Sequence, residues 1–230
     1  LVDMNIGLNL TKNTSRFDHF LSIIKENTKA YKQCTFINVS DDNELKKHIP
    51  DLDILLTYDI NPDTFQYASN KLKWIHFGVA GVEESLFPEL IKSKTALSNC
   101  SGIHAEPVSE FIIACILYHC KRFDKCHEFK KTHQWKQWEI AKTMIQLKGK
   151  TLGIIGYGQI GKATAKLAKQ FNMKVIATRR LQKTITSNRF VDMLLPLSDI
   201  HDLYTQSDFI AVTCPLTPVT KQMISFNEFS

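Results

Sequence analysis

The sequence predicts an α/β protein built on doubly wound parallel sheets, and two observations support this prediction. Over the first hundred residues, short apolar stretches alternate with helical patterns, as they do when helices cover a parallel sheet. From Thr151 to Arg180, an apolar strand leads into a glycine-rich turn, a helix and a second strand. This second order is typical of a Rossmann-type dinucleotide-binding unit.

The N-terminal part is predicted to alternate strands with short helices. Helix starts are indicated by the acidic residues at Asp41 and Asp42 and by the Asn61–Pro62 step, because short polar side chains cap helices and proline suits a first turn. A glycine-containing loop, GVAG, follows the fourth strand. The predicted strands are residues 1–10, 34–39, 53–57, 72–77 and 95–99, and the predicted helices are residues 16–27, 41–48 and 61–68.

The C-terminal part is predicted to begin with a linker and one long helix. Residues 101–107 form the predicted linker, and the helix runs from Val108 to Lys131 because Pro107 suits a first helical turn. Residues 133–147 show no clear hydrophobic periodicity and are predicted to be irregular or loosely helical. The remaining predicted strands are residues 152–155, 174–178, 192–195 and 208–213, with helices up to about residue 171 and at 198–206. We therefore divide the chain into domains at residues 1–100 and 101–230.

Three glycines determine the chemistry of the turn. Gly156 permits the tight bend, Gly158 lets backbone amides approach a diphosphate, and Gly161 lets the helix pack closely on the strand. The helix start adds unpaired N–H groups and the positive end of the helix dipole. The candidate cofactor-binding residues therefore include the whole turn: Gly156, Tyr157, Gly158, Gln159, Ile160 and Gly161.

The second strand ends in positive charge where an NAD site has an acidic residue. Arg179 and Arg180 follow Thr178 at this point, whereas an Asp or Glu there would bind the ribose hydroxyls of NAD. No Asp or Glu occurs from Ile140 to Val191, a segment with eleven Lys and Arg residues. We therefore expect Thr178, Arg179 and Arg180 to bind NADP, with NAD as the alternative. A solvated helix face is predicted for three lysines, Lys162, Lys166 and Lys169.

Composition argues against several classes of protein. The net charge of +6 comes without a dense basic stripe, so we expect no nucleic-acid partner. No apolar run approaches the roughly 20 residues of a membrane span, and the first residues lack the pattern of a secretory signal. Six cysteines without a CxxC pair are typical of a reducing, cytoplasmic setting. Cys115 and His119 have metal-ligand spacing, but their apolar neighbours favour packing, and we predict no metal site.

Four stretches together resemble one enzyme family, the D-isomer-specific 2-hydroxyacid dehydrogenases. They are residues 72–84, 101–117, 147–180 and 207–224. The WIHFGVAG and TRR segments are most similar to NADP-using glyoxylate, hydroxypyruvate or 2-ketoacid reductases. The resemblance implies a flavodoxin-like substrate domain followed by a Rossmann domain, and hydride transfer between NAD(P)H and a small 2-ketoacid substrate.

The resemblance also implies further site residues. The loop Val79, Ala80 and Gly81 would bind the substrate carboxylate through backbone amides, and consecutive N–H groups in such a turn can form an anion nest. An ordinary strand-ending turn is the alternative. Val108 matches a position that packs against the nicotinamide, with a plain core valine as the alternative. Nucleotide-contacting positions near the last strand are matched by Thr213, Cys214, Pro215 and Thr220.

The catalytic residues that the resemblance implies are an Arg, a Glu and a His beyond the last matching stretch, and the chain ends at Ser230. We therefore assign no catalytic residue. We expect a piece of a longer reductase, with both domains incomplete at the C-terminus and no activity alone; a natural short form is the alternative.

Other functions and the assembly are also suggested by the resemblance. The family implies an alternative function, that of a non-catalytic, dimeric, corepressor-like NAD(P)-binding regulator, and a formate or phosphite dehydrogenase is a third possibility. We expect a homodimer, because the predicted helix from Val108 to Lys131, together with Trp135 and Trp138, matches the region where family dimers join.

Overall fold

Strands and helices alternate along the chain, and the computed structural model describes them for residues 3–228. They form two units, one ending at Ser101 and the other beginning at Gly102. The elements of the first unit are β1 (Met4–Asn9), α1 (Thr14–Asn27), β2 (Cys34–Asn38), α2 (Asp42–His48), β3 (Ile54–Thr57), α3 (Pro62–Phe65), β4 (Trp74–Phe77), α4 (Pro88–Lys92) and β5 (Ala96–Asn99).

The first unit is a parallel sheet with the strand order β2-β1-β3-β4-β5. This is the order of flavodoxin-like sheets, so the predicted arrangement is confirmed. The core lies on the face covered by α2, α3 and α4, where Leu45, Ile75 and Leu90 are fully buried. Helix α1 buries no residue completely, and a cavity of about 390 Å³ is lined by its Ile24 and by apolar strand residues.

The first three helices begin at residues whose own side chains cap them. The side-chain oxygens of Asn13, Asp41 and Asn61 accept amide hydrogen bonds of 2.8–3.1 Å from the first turns of α1, α2 and α3. Such caps satisfy N–H groups that a helix start leaves unpaired, and each contributes about 1 kcal/mol. The helix starts predicted near Asp41 and Asn61 are therefore confirmed.

The second unit is a sheet with the order β10-β6-β7-β9-β8. Its parallel strands, counted along the chain, are β6, β7, β9 and β10. They lie side by side in the order third, second, first and fourth, as in a Rossmann fold. Apolar clusters lie on both faces, under α5 and α8 on one side and under α9 on the other. The elements are α5 (Ala105–Cys120), α6 (Phe123–Lys131), α7 (Gln137–Ala141), β6 (Thr151–Ile155), α8 (Gln159–Gln170), β7 (Lys174–Arg179), β8 (Thr186–Asn188), β9 (Val191–Pro196), α9 (Ile200–Gln206) and β10 (Phe209–Val212).

The prediction of one helix from Val108 to Lys131 is wrong, because α5 and α6 are separate helices. Arg122 has a left-handed φ of 55° and breaks the run. Its guanidinium donates to both carboxylate oxygens of Asp124, at 3.1 and 2.9 Å, and holds the bend. Helix α5 also begins three residues before Val108, inside the predicted linker. No helix within residues 3–228 is long and apolar enough to cross a bilayer.

Strand β8 was not predicted, and it makes the second sheet mixed rather than wholly parallel. It pairs antiparallel with β9, and its three residues are all exposed. A strand without a buried face leaves no apolar alternation in the sequence, so the pattern gave no signal for it.

Aspartates at strand starts join neighbouring strands in both units. Asp53, just before β3, accepts the amide of Asn5 in β1 at 2.8 Å. Asp208, just before β10, accepts the amide of Thr151 in β6 at 2.8 Å and the ammonium of Lys150 at 2.8 Å. Both hydrogen bonds from Lys150 and Thr151 keep the pKa of the Asp208 carboxyl below its ordinary value.

Candidate functional site

Gly156 bends the chain at the end of β6. Its φ is +102°, in the left-handed region that favours glycine. A Cβ at this position would lie 2.7 Å from the backbone nitrogen of Cys214. The amides of Gly156 and Tyr157 both donate to the carbonyl of Thr178, at 3.2 and 2.8 Å. Glycine is therefore required here both by the bend and by the close approach of the chain after β10.

Gly158 and Gly161 lie in opposite surroundings. A Cβ on Gly158 would meet no atom within 4 Å, so the space beside it is open. A Cβ on Gly161 would overlap the carbonyl oxygen of Gly156 and lie 3.1 Å from a methyl group of Ile154. Gly161 thus allows α8 to pack against β6, and Gly158 leaves room for a ligand at the helix start.

The start of α8 presents backbone amides. Gly158 is the N-cap and has no side chain to cap the helix. The amide of Lys162 donates to the carbonyl of Gly158 at 2.9 Å. The amides of Gln159, Ile160 and Gly161 precede this first helical bond, where helix geometry supplies no acceptor. Together with the positive end of the helix dipole, they form an arrangement suited to an anion.

A cleft of about 410 Å³ lies beside this turn, a volume within the range of small-molecule sites. It includes most of the cofactor residues predicted from the sequence. Three of the predicted residues do not line it. Ile160 and Gly161 lie in the first turn of α8, and Val108 lies in the first turn of α5. The lining residues are Ile155, Gly156, Tyr157, Gly158, Gln159, Lys162, Thr178, Arg179, Arg180, Leu197, Thr213, Cys214, Pro215, Thr217, Val219, Thr220 and Met223.

Three cationic side chains line the cleft: Lys162, Arg179 and Arg180. Within residues 3–228, none of the three has a carboxylate at ion-pair distance. Lys162 is exposed, as the predicted solvated face requires, and it also lines the cleft. Its position directly after Gly161 was the signal for its place at the cleft, because the residue after the last glycine lies on the first turn of the helix.

Lys169 differs from the predicted solvated face, because it is half-buried and ion-paired. Its ammonium contacts the carboxylate of Asp192, which also accepts the amide of Val175 at 2.7 Å. Burial raises the pKa of the Asp192 carboxyl, but the hydrogen bonds from Lys169 and Val175 outweigh it and leave the pKa below its ordinary value. Lys169 therefore joins α8 to β9 of the sheet.

The wall of the cleft includes one buried hydroxyl and one thiol, those of Thr178 and Cys214. The hydroxyl of Thr178 is buried, and no partner for it exists within residues 3–228. An unpaired buried hydroxyl costs about 1–3 kcal/mol. Burial raises the pKa of the Cys214 thiol, so it lines the cleft as a neutral group. Within the same residues, no three His, Cys, Asp or Glu side chains are grouped as a metal site.

Thr213 and Thr220 position the chain after β10. The hydroxyl of Thr213 donates to the carbonyl of Gly156 at 2.7 Å. The hydroxyl of Thr220 donates to the carbonyl of Pro215 at 2.7 Å and accepts the amide of Thr217 at 2.8 Å. Both side chains line the cleft, but their hydroxyls are already used to hold its wall in place.

In the first unit, the loop after β4 presents its amides away from the sheet. The carbonyl of Val79 accepts the amide of Cys100 at 3.0 Å, and the carbonyl of Ala80 accepts the side-chain amide of Asn99 at 2.6 Å. In a trans peptide the N–H points opposite to the C=O, so the amides of Ala80 and Gly81 point away from these partners. The anion nest at this loop stays a prediction, and the carboxylate of Glu83 lies beside Gly81.

Comparison with known proteins establishes the family. The model of the D-isomer specific 2-hydroxyacid dehydrogenase NAD binding domain matches residues 113–230. The chain belongs to this family, which confirms the resemblance drawn from the sequence.

Two glyoxylate reductases are among its relatives. That of Thermococcus litoralis is 30% identical over 190 residues, covering 80% of this chain and 56% of the relative. That of Thermofilum pendens is 32% identical over 190 residues, covering 79% and 54%. The chain thus spans about half the length of the curated relatives it matches.

Solved structures share the fold. A D-isomer specific 2-hydroxyacid dehydrogenase family protein from Aeromonas salmonicida superposes with a TM-score of 0.74 at 23% identity, covering 95% of this chain and 66% of that protein. At this level of identity the comparison supports the fold alone, and it agrees with the two sheets described above.

Proposed function

We propose that the second unit binds a nicotinamide dinucleotide and that the protein transfers a hydride between this cofactor and a small 2-ketoacid such as glyoxylate. The start of α8 carries the proposal. There, open space beside Gly158 meets the amides of Gln159, Ile160 and Gly161. The glyoxylate reductases among the relatives suggest the substrate class.

The diphosphate would lie at the start of α8, because amide donors and the helix dipole both favour negative charge there. The adenosine would lie towards β7 and β10, beside Arg179, Arg180, Cys214 and Pro215. A neutral Cys214 thiol suits an uncharged ring. When bound, the cofactor supplies the hydride chemistry; the residues of the chain bind and orient it.

The charge of the cleft supports NADP over NAD. Arg179 and Arg180 stand where an acid would bind the ribose of NAD, and neither is neutralised by a carboxylate within residues 3–228. A hydrogen bond to a charged group contributes about 1.5–3 kcal/mol. Two such contacts to a 2′-phosphate would favour NADP by roughly 10²- to 10⁴-fold.

The substrate carboxylate would bind at Val79, Ala80 and Gly81 in the first unit. The amides of Ala80 and Gly81 suit this role because the carbonyls of Val79 and Ala80 are held by Cys100 and Asn99. Glu83 opposes it, because its carboxylate lies near Gly81. We assign proton transfer to no residue of this chain.

A homodimer is part of the proposal. Helix α5 exposes Phe111 and Tyr118, which lie seven residues apart and therefore on one face. Trp135 and Trp138, in the segment after α6, are 87% and 72% exposed. Exposed aromatic side chains are enriched at protein interfaces. Sedimentation velocity is expected to show a dimer that Phe111→Glu dissociates; a monomeric wild type would contradict this assembly.

Calorimetric titration of the chain with NADPH and NADH tests the cofactor site. We expect NADPH to bind more tightly, and we expect Arg179→Asp to remove about 10- to 100-fold of the preference. Lys166→Asp is the matched control, since it makes the same charge change on α8 at an exposed residue outside the cleft lining. Equal preference in wild type and Arg179→Asp would refute the NADP assignment.

Turnover tests the reaction itself. NADPH oxidation by the full-length protein is measured with glyoxylate, hydroxypyruvate and pyruvate. We expect consumption with at least one of them. Cofactor binding without turnover of any short 2-ketoacid would reject the reductase and favour the non-catalytic regulator.

A further inference from the structure

A chain of polar contacts crosses β4 and β5 in the first unit. The indole Nε1 of Trp74 donates to the hydroxyl of Ser98 at 2.7 Å, and Nδ1 of His76 lies 2.9 Å from the same oxygen. Nε2 of His76 lies 3.4 Å from the sulfur of Cys100. Strand register creates the cluster, because His76 is paired with Ser98 and Cys100 follows the end of β5.

Ser98 orients the imidazole for general-base chemistry. Its oxygen has two lone pairs and can accept hydrogen bonds from both Trp74 Nε1 and His76 Nδ1. In that tautomer the lone pair on Nε2 faces the Cys100 thiol and can accept its proton. The resulting imidazolium then donates to Ser98 from one nitrogen and to the thiolate from the other. A nucleophile, a base and a group that orients the base are the components of an activated thiol.

We propose that Cys100 is a reactive thiol activated by His76 and is modified by small-molecule disulfides. Cys100 as a residue is partly exposed, which suits access of a reagent. The Cys100 thiolate attacks one sulfur of the disulfide, whose S–S bond breaks as the new S–S bond forms. The leaving thiolate takes the electron pair and then the proton held on His76 Nε2. The products are a mixed disulfide at Cys100 and one free small thiol, and no other oxidant is needed.

The modification would disturb the loop of Val79, Ala80 and Gly81, where we propose that the substrate carboxylate binds. The amide of Cys100 donates to the carbonyl of Val79 at 3.0 Å, and Asn99 donates to the carbonyl of Ala80 at 2.6 Å. A mixed disulfide places a bulky group at the residue that holds this loop. This regulatory consequence rests on the proposed function, whereas the reactivity of Cys100 does not.

Timed alkylation with iodoacetamide at neutral pH, followed by peptide mass spectrometry, tests the reactivity. Cys115 is exposed and serves as the internal reference. Because an ordinary thiol is only a few per cent ionised at pH 7, we expect Cys100 to react about tenfold faster than Cys115. Equal or slower reaction of Cys100 in the wild-type chain would overturn the proposal without any substitution.

Two variants test the role of His76. His76→Gln is expected to slow alkylation of Cys100 about tenfold and leave the rate of Cys115 unchanged. Ser98→Ala, which keeps the base but removes its orienting group, is expected to have a smaller effect in the same direction. His119→Gln is the matched control, since His119 lies one helical turn after Cys115, and should leave Cys100 unchanged. If Cys100 is alkylated at the same rate in folded His76→Gln as in the wild type, His76 does not activate Cys100 and the proposal is rejected.

Binding of oxalate, a dicarboxylate analogue of a 2-ketoacid, tests whether modification of Cys100 affects the loop of Val79, Ala80 and Gly81. This test is separate from the measurement of thiol reactivity. Treatment with oxidised glutathione is expected to weaken oxalate binding about tenfold in the wild type and not in Cys100→Ser, as measured by calorimetry. Rapid modification with unchanged oxalate binding would overturn the link to the loop while supporting the reactive thiol. Absence of oxalate binding by the untreated chain would overturn the loop's proposed role.

Discussion

Helix starts in the two units satisfy their amides in different ways. In the first unit, α1, α2 and α3 are capped by the side chains of Asn13, Asp41 and Asn61. In the second unit, α8 begins at Gly158, which has no side chain to accept these amides. The same architecture therefore produces three side-chain-capped helix starts in the first unit and, at α8 in the second, a start without such a cap, where we propose that an anion binds. The difference depends on single residues, not on the fold.

Gly156→Val should have the largest effect, because it tests the bend that aims α8. A left-handed φ costs a β-branched residue about 1–3 kcal/mol, and overlap with the backbone of Cys214 adds about 1–3 kcal/mol. The free energy of unfolding should fall by about 3–5 kcal/mol in urea denaturation. Gly149→Val is the matched control, since Gly149 has a φ of +78° but open surroundings. Equal losses at both positions would show that the approach of Cys214 does not matter.

Gly158→Asp converts the start of α8 into the kind found in the first unit. The position accepts a side chain, because a Cβ there meets nothing within 4 Å. The new carboxylate would take the helix amides and repel a diphosphate, so NADPH should bind about a hundredfold more weakly, roughly 2.7 kcal/mol. Stability should change by only a few tenths of a kcal/mol. Gly158→Ala, which adds no acceptor, controls for bulk; unchanged NADPH affinity in Gly158→Asp would place the diphosphate elsewhere.

Asn13→Ala is the reciprocal change in the first unit. Loss of the hydrogen bond from the Arg16 amide, 3.1 Å long in the wild type, should reduce stability by about 1 kcal/mol. Asn13→Ser keeps a capping oxygen and should recover most of this loss. Because no ligand is proposed at α1, NADPH affinity measured by calorimetry should not change, and a change would contradict the contrast between the two helix starts.

Substitution of Asp208 is expected to have the smallest effect, a change in how stability depends on pH. Its pKa is lowered in the folded protein by Lys150 and Thr151, so its contribution to stability is present above the unfolded carboxyl pKa of about 3.9. This contribution is lost as pH falls through the lowered folded pKa. Solvent screening keeps it below about 1 kcal/mol. Asp208→Asn should flatten the acid limb of a stability–pH curve. Asp199→Asn is the control, because Asp199 has no salt bridge within residues 3–228.

The most local features were the most predictable. The glycine turn and the capped helix starts follow from residues a few positions apart, because turns and first helical turns are closed by short-range hydrogen bonds. The helix break at Arg122 was missed because its signal is a bend held by Asp124 rather than a proline or glycine. The exposed strand β8 was missed because nothing in it is buried.

The sequence by itself determined the α/β class, the order of the Rossmann unit and the glycine turn with two arginines after β7. Only the tertiary structure decided that Cys214 approaches Gly156. It also decided that Cys100 meets His76, 24 residues earlier in the chain. The physical reason is range: apolar periods and turn residues act on neighbours in sequence, whereas these contacts arise from the register of paired strands and the packing of helices upon them.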